Sequence, residues 1–118
     1  MKHAELRIPD YIAHILEAIE RIAEYTAGMD EDGFLRNKLV QDAAIRNIEI
    51  IGEAARNIER ASPAFTADHH RIPWSTMIAM RNRVSHGYMT INLSLVWKTI
   101  RSDLPELEKP IRALRDGA

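Results

Sequence analysis

The amino-acid sequence predicts an all-α fold, a compact up-and-down bundle of about four to five helices. Three observations carry the prediction. Apolar residues recur at intervals of three and four rather than alternating along the chain. The fifteen isoleucines, which favour strands by propensity, sit at this helical spacing, and only three valines accompany them. Breaks in the pattern coincide with Pro, Gly, Asp, Asn and Ser, the residues that start and stop helices.

A first helix is expected over about 10–26, where Ile12, Ile15, Leu16, Ile19, Ile22 and Ala23 share one face after a Pro9-Asp10 start signal. Gly28 and the acidic stretch at 30–33 interrupt it. The pattern resumes near Arg36 and runs to about Arg60 with no internal proline, which makes the second helix the longest. Its apolar positions fall in two neighbouring series, one through Val40, Ala44, Ile48, Ile51, Ala55 and Ile58, the other through Leu39, Ala43, Ile50 and Ala54. Together they make a stripe wider than one core contact requires, so this helix is either the centre of the bundle or part of a subunit interface. Ser62-Pro63 ends it, and a loop through His69 and His70 leads to Pro73, which suits the first turn of a third helix running to about Val84. Gly87 follows, a residue that readily takes the left-handed conformation beyond a helix end and that equally suits a turn whose backbone approaches a ligand. A fourth helix over about 93–102 turns Leu93, Val96, Trp97 and Ile100 inward. A last helix, starting at Asp103-Leu104-Pro105, buries Leu107, Ile111 and Leu114.

At 118 residues, 46% of them hydrophobic and 28% charged, the chain has the size and composition of one folded domain spanning 1–118. No apolar run is long enough to cross a membrane and the first ten residues lack the apolar core of a secretory signal, so the cytoplasm is the expected compartment. The absence of cysteine excludes disulfides, thiolate nucleophiles and iron–sulfur or zinc–thiolate sites. The five glycines form neither a Walker loop nor a dinucleotide fingerprint, and no bound cofactor is expected. No histidine pair has the spacing of a helical zinc site, so no metal is expected either. Glu49 and Glu53, one turn apart, are better read as ion-pair partners of Arg46, Arg56 or a neighbouring chain than as metal ligands or an acid–base pair.

The net charge of −1 hides an asymmetry. Between His69 and Ser102 there is no Asp or Glu, and Arg71, Arg81, Arg83, Lys98 and Arg101 supply five positive charges, whereas the rest of the chain carries 11 basic and 17 acidic residues. A polyanion such as RNA has a natural seat on the first region. Within it, the segment Arg81-Asn82-Arg83-Val84-Ser85-His86-Gly87-Tyr88 is the densest in polar and ionisable groups. On an unbroken helix His86 would lie about 140° around the axis from Arg81. With the helix ending near Ser85, His86 can fold back toward Arg81, and the negative end of the helix dipole favours its protonated form. An imidazole to move protons and a guanidinium to hold phosphate oxygens suffice for attack of an RNA 2′-hydroxyl on its neighbouring phosphodiester. Asn82 and Arg83 are the candidate substrate-positioning residues. The competing structural account pairs Arg81 with an acid of the second helix, uses His86 as a helix cap and packs Tyr88 in the core.

At these residues the sequence resembles the HEPN superfamily, and more closely the HepT toxins of MNT–HEPN toxin–antitoxin systems, whose motif is an arginine, a polar residue, a histidine and then a tyrosine two residues on. Arg81, Asn82, His86 and Tyr88 match it in full. The likeness extends to residues 46–55, to Ile72-Pro73-Trp74, and to Val96-Trp97 followed by Asp103-Leu104-Pro105. This resemblance implies a dimeric helical bundle and a metal-independent ribonuclease with Arg81 and His86 as catalytic residues. It also implies a nucleotidyltransferase antitoxin as partner, which inactivates the toxin by transferring AMP to Tyr88. Two other classes compete with this expectation: a non-catalytic helical adaptor or nucleotide-binding partner of a nucleotidyltransferase, and a DNA-binding helical protein, for which no recognition-helix pair stands out.

Overall fold

The computed structural model describes residues 3–85 and 91–117, with side chains described for 8–82 and 91–117. The described residues are helical, with no strand among them. In chain order the elements are α1 (His3–Tyr25), α2 (Glu31–Leu35), α3 (Lys38–Ala61), α4 (Pro63–Asp68), α5 (Trp74–Ser85), α6 (Leu93–Lys98), a π-helical turn (Thr99–Asp103) and α7 (Leu104–Arg115). α3 is the axis of the assembly. Its 24 residues run about 36 Å, most of the 44 Å long dimension, and α1 and α5 both pack along it. α7 closes against α1, and α2 wedges between α3 and α6.

The boundaries follow from local chemistry. The second expected helix forms as α3, and an additional short helix, α2, forms within the interruption expected before it, because each of the two has its own cap. Asp30 accepts the Gly33 N–H at 2.8 Å and opens the short α2, and Asn37 accepts the Val40 N–H at 3.0 Å and opens α3. Phe34, wholly buried against Trp97 with ring centroids 5.2 Å apart, pins α2, and the Gln41 amide donates to the Phe34 carbonyl at 2.9 Å. Within the expected loop after Arg60, Ser62 accepts from the Phe65 N–H at 3.2 Å and Pro63 takes the first turn, which creates α4. At the other end the expected break at Asp103 is absent. Pro105 lacks an N–H and its ring crowds the preceding turn, and the chain meets this by widening: the Leu104 N–H donates to the Thr99 carbonyl five residues back, joining α6 to α7 through the π turn. α1 likewise begins before its expected start and carries Pro9 inside it.

The core is built mainly of the isoleucines. Ile12, Ile15, Leu16, Ile19 and Ile22 of α1 meet Ala44, Ile48, Ile51, Ala55 and Ile58 of α3, and Met77 and Met80 of α5 cover the other side. The second apolar series of α3 is largely absorbed here, with Ala54 buried and Ile50 partly buried; only Leu39, 80% exposed, projects fully. The outward stripe of α3 is otherwise charged, through Asp42, Arg46, Glu53, Arg56 and Arg60. Arg112 of α7 ties the bundle's edge to α1 by donating to Glu20 at 3.2 Å while also donating to Glu108. Those hydrogen bonds, Glu108 first and then Glu20, raise its pKa above the ordinary arginine value. No helix among the described residues is long and apolar enough to cross a membrane.

Candidate functional site

α5 carries Arg81, Asn82 and Arg83 of the expected site residues, and its position is set by one glycine. Trp74, Met77 and Met80 are buried on its inner face, and the Trp74 indole donates to the His69 carbonyl at 3.1 Å, fixing where the helix starts. At Gly52 of α3 the two helices come so close that a Cβ there would lie 2.4 Å from the Arg81 Cβ, 3.0 Å from the Met77 carbonyl oxygen and 3.3 Å from the Arg81 nitrogen. A side chain at 52 is therefore excluded by backbone as well as side-chain atoms. Gly at mid-helix is unfavourable by propensity, and here the close approach requires it.

Arg81 thus leaves α5 at the tightest point of the crossing and runs out over α3, where its Nε donates to Glu53 Oε2 at 3.1 Å. Among the described residues Glu53 is the side-chain partner of Arg81, and the bond uses Nε, one of the guanidinium's several donors. The pair is open to solvent, with the Arg81 side chain 34% and that of Glu53 60% exposed. An ion pair so exposed is weak, on the order of 1 kcal/mol or less, and a phosphate can displace or share it. Asn82, the next residue, is exposed.

Of the other expected site residues, Arg83 has its backbone in α5 and its side chain outside the described residues, and His86 and Tyr88 lie outside them altogether. The structure therefore brings Arg81 to Glu53, the pairing that the structural account anticipated, at a surface position that also suits a clamp. Glu49 sits 3.8 Å from Arg46, and among the described residues no three His, Asp or Glu side chains gather to hold a metal ion. His69 is a structural residue, with its Nδ1 2.9 Å from the Phe65 carbonyl oxygen and its ring 4.3 Å from that of Phe65.

Sequence reasoning missed Gly52 and the specific partnership of Glu53 with Arg81. The signal for the first was present as a lone glycine inside a strongly periodic helix. It also missed a small cleft between α1 and α3, of about 120 Å³, which Glu53 shares with Tyr11, His14, Arg46 and Asn57. Those residues lie on two helices far apart in sequence, and nothing in local spacing joins them.

Residues 15–114 match the protein family described as Ribonuclease HepT-like. Among curated proteins, the chain is 41% identical over 106 residues to a Thermococcus cleftensis protein named "Probable ribonuclease HepT", covering 90% of this chain and 94% of that one. It is 33% identical over 104 residues to a Caldanaerobacter subterraneus protein named as a "Putative RNase", covering 88% and 90%. It is also 42% identical over 101 residues to a Methanocaldococcus jannaschii protein named "Gamma-glutamylcyclotransferase and putative RNase", where the match covers 86% of this chain but 44% of the relative. The chain thus spans less than half the length of that relative. No solved structure is a significant match.

Proposed function

The chain belongs to the HepT-like ribonuclease family, and from that premise we propose that it is the toxin of a toxin–antitoxin pair, a metal-independent RNA endonuclease working through Arg81 and His86. The observation that supports Arg81 as the clamp is its placement: backbone packing at Gly52 fixes its Cα, while among the described residues the guanidinium is held at the surface by one weak and exposed carboxylate contact. A phosphodiester approaching that guanidinium meets a bidentate donor whose resting partner is easily displaced.

In the proposed reaction the ribose 2′-oxygen attacks the adjacent phosphorus and the bond from phosphorus to the 5′-oxygen breaks. One proton leaves the 2′-hydroxyl and one is delivered to the departing 5′-oxygen, so the products are a 2′,3′-cyclic phosphate and a 5′-hydroxyl. His86 is the general base or general acid for one of these transfers. Arg81 stabilises the charge that grows on the non-bridging oxygens. Asn82, exposed beside it, and Arg83, the next residue of α5, position the strand. DNA lacks the attacking hydroxyl and is not cleaved by this route.

The proposed partners are RNA as substrate, a second copy of the chain in a homodimer, and a nucleotidyltransferase antitoxin that transfers AMP to Tyr88. An added phosphodiester two residues from His86 would fill the site and oppose substrate phosphate by like charge. The deciding experiment incubates wild type and His86→Ala with bulk RNA in excess EDTA and scores cyclic-phosphate ends. Cleavage by wild type alone is expected. Cleavage lost on chelation and restored by magnesium would overturn the metal-free scheme, and no cleavage by protein whose Tyr88 is shown unmodified by mass spectrometry would favour the adaptor.

A further inference from the structure

The cleft between α1 and α3 is contiguous with the Arg81 pair, because Glu53 forms part of its wall and accepts the hydrogen bond from Arg81 Nε. Its other features have the character of a base-binding seat. Tyr11 and His14, one turn apart on α1, present rings 6.3 Å apart and inclined at 75°, an edge-to-face pair. Ile50 and Ala54 of α3 give an apolar floor. Asn57 supplies a carboxamide, which carries both a donor and an acceptor, and Arg46 supplies an exposed cation. At about 120 Å³ the cleft is far below the roughly 300 Å³ at which drug-sized ligands are enclosed, so it suits one planar ring rather than a whole nucleotide.

We propose that this cleft seats one unpaired RNA base next to the phosphate held by Arg81, with Tyr11 and His14 packing on the ring and Asn57 reading its edge. The proposal rests on the reading of Arg81 as the phosphate clamp. Single-stranded RNA is recognised in this way, by aromatic and apolar contact with splayed bases and hydrogen bonds to their edges. A base is joined to its phosphate through one ribose, and the wall of the cleft is one carboxylate away from the guanidinium, so both can be engaged by the same nucleotide. His14 and Asn57 are then specificity-determining residues of the substrate site.

The test separates binding from cleavage. The imidazole signals of His14, identified by their loss in His14→Ala, are followed by NMR during titration with uridine 3′-monophosphate and adenosine 3′-monophosphate, on wild type, Arg81→Ala and Asn57→Ala. In parallel the ends of RNA fragments are sequenced. The expected result is a saturable shift of the His14 signals that survives Arg81→Ala at weakened affinity. Asn57→Ala should weaken binding roughly tenfold and flatten the base preference beside the cut, with circular dichroism unchanged. Should wild type fail to cleave while the His14 signals still shift, the seat stands and the nuclease mechanism falls. Should wild type cleave while the His14 signals stay fixed and both cleft variants cut at the same bases, the seat is overturned. A change of oligomeric state in His14→Ala would also overturn it, by assigning the cleft to a subunit interface.

Discussion

Replacing Gly52 by alanine tests the feature that holds Arg81 in place. The added Cβ would lie 2.4 Å from the Arg81 Cβ, against about 3.5–4.0 Å for unstrained carbon contact, so α5 must retreat by about 1.1–1.6 Å. The Met77 carbonyl oxygen at 3.0 Å and the Arg81 nitrogen at 3.3 Å are backbone atoms and cannot rotate aside. Overpacking of this kind costs about 1–3 kcal/mol, and two backbone contacts place it at the upper end. Alanine returns about 1 kcal/mol through helix propensity. A net loss of about 2 kcal/mol follows, or roughly 8 °C in Tm for a domain of this size. Because the retreat is centred on Arg81, RNA cleavage should fall about a hundredfold, the penalty typical of a 1 Å misplacement. Urea denaturation gives the first number and fragment release from RNA the second. A double-mutant cycle sharpens the test: in an Arg81→Gly background, which removes the 2.4 Å contact, Gly52→Ala should cost measurably less. Equal or higher stability of the single variant would refute the close-approach argument, because only propensity would then be acting.

Arg81→Lys should lose on the order of a hundredfold in RNA cleavage with little change in Tm, because an ammonium cannot present two parallel donors to a phosphate; near-normal cleavage would reduce Arg81 to a point charge. Glu53→Gln keeps an acceptor for the Arg81 Nε but removes its charge, so stability measured in urea should change by less than about 1 kcal/mol while KM for RNA falls as repulsion of phosphate is relieved; a rise in KM would make Glu53 a necessary orienter. Phe34→Ala empties a fully buried site against Trp97 and should cost about 3–5 kcal/mol in urea unfolding, releasing α2 from α6. Asn47 is 6% exposed and its Oδ1 has no partner among the described residues, although its Nδ2 donates to the Ala43 carbonyl at 2.8 Å, so Asn47→Leu should be neutral or stabilising by about 1 kcal/mol; a clear loss of stability would show that its amide bond matters more than the oxygen.

Much of the fold was legible in the sequence because its strongest signals are periodic. The apolar faces of α1 and α3 largely bury as their spacing demands, the exceptions being Ala23, exposed at the edge of the α1 stripe, and Leu39, exposed in the first turn of α3. What spacing could not reveal was the outcome of local competition. Asp30 and Asn37 each cap a helix, and the short α2 exists only because Phe34 finds Trp97, a contact across more than sixty residues of chain. The π turn is similar: Pro105 reads as a helix start, but the buried Val96, Trp97 and Ile100 on one side and Leu104 and Leu107 on the other keep the segment continuous. At the site, Arg81 and Asn82 sit on the surface of α5, while His86 and Tyr88 lie outside the described residues. Glu53 was foreseen as an ion-pair partner but not as the partner of Arg81, since only the Gly52 crossing sets which acid the guanidinium can reach.

That crossing resolves a tension between the structural and chemical accounts of Arg81. A clamp for a transient phosphate needs a fixed origin and a guanidinium that can exchange partners. A buried salt bridge would fix the group but resist exchange, since removing one partner from a buried pair costs about 3–5 kcal/mol. A surface arginine on an isolated helix would exchange freely but dissipate binding energy in ordering its side chain. Here the two requirements are met by different atoms. The backbone of α5 is located by Gly52, through contacts that do not involve the charge, and the charge is met by an exposed carboxylate whose loss costs little. The Glu53 pair is therefore compatible with the proposed clamp as its resting state: under that proposal it would hold the guanidinium near the α1–α3 cleft until a phosphate took its place, and the released carboxylate would still line the wall of the cleft.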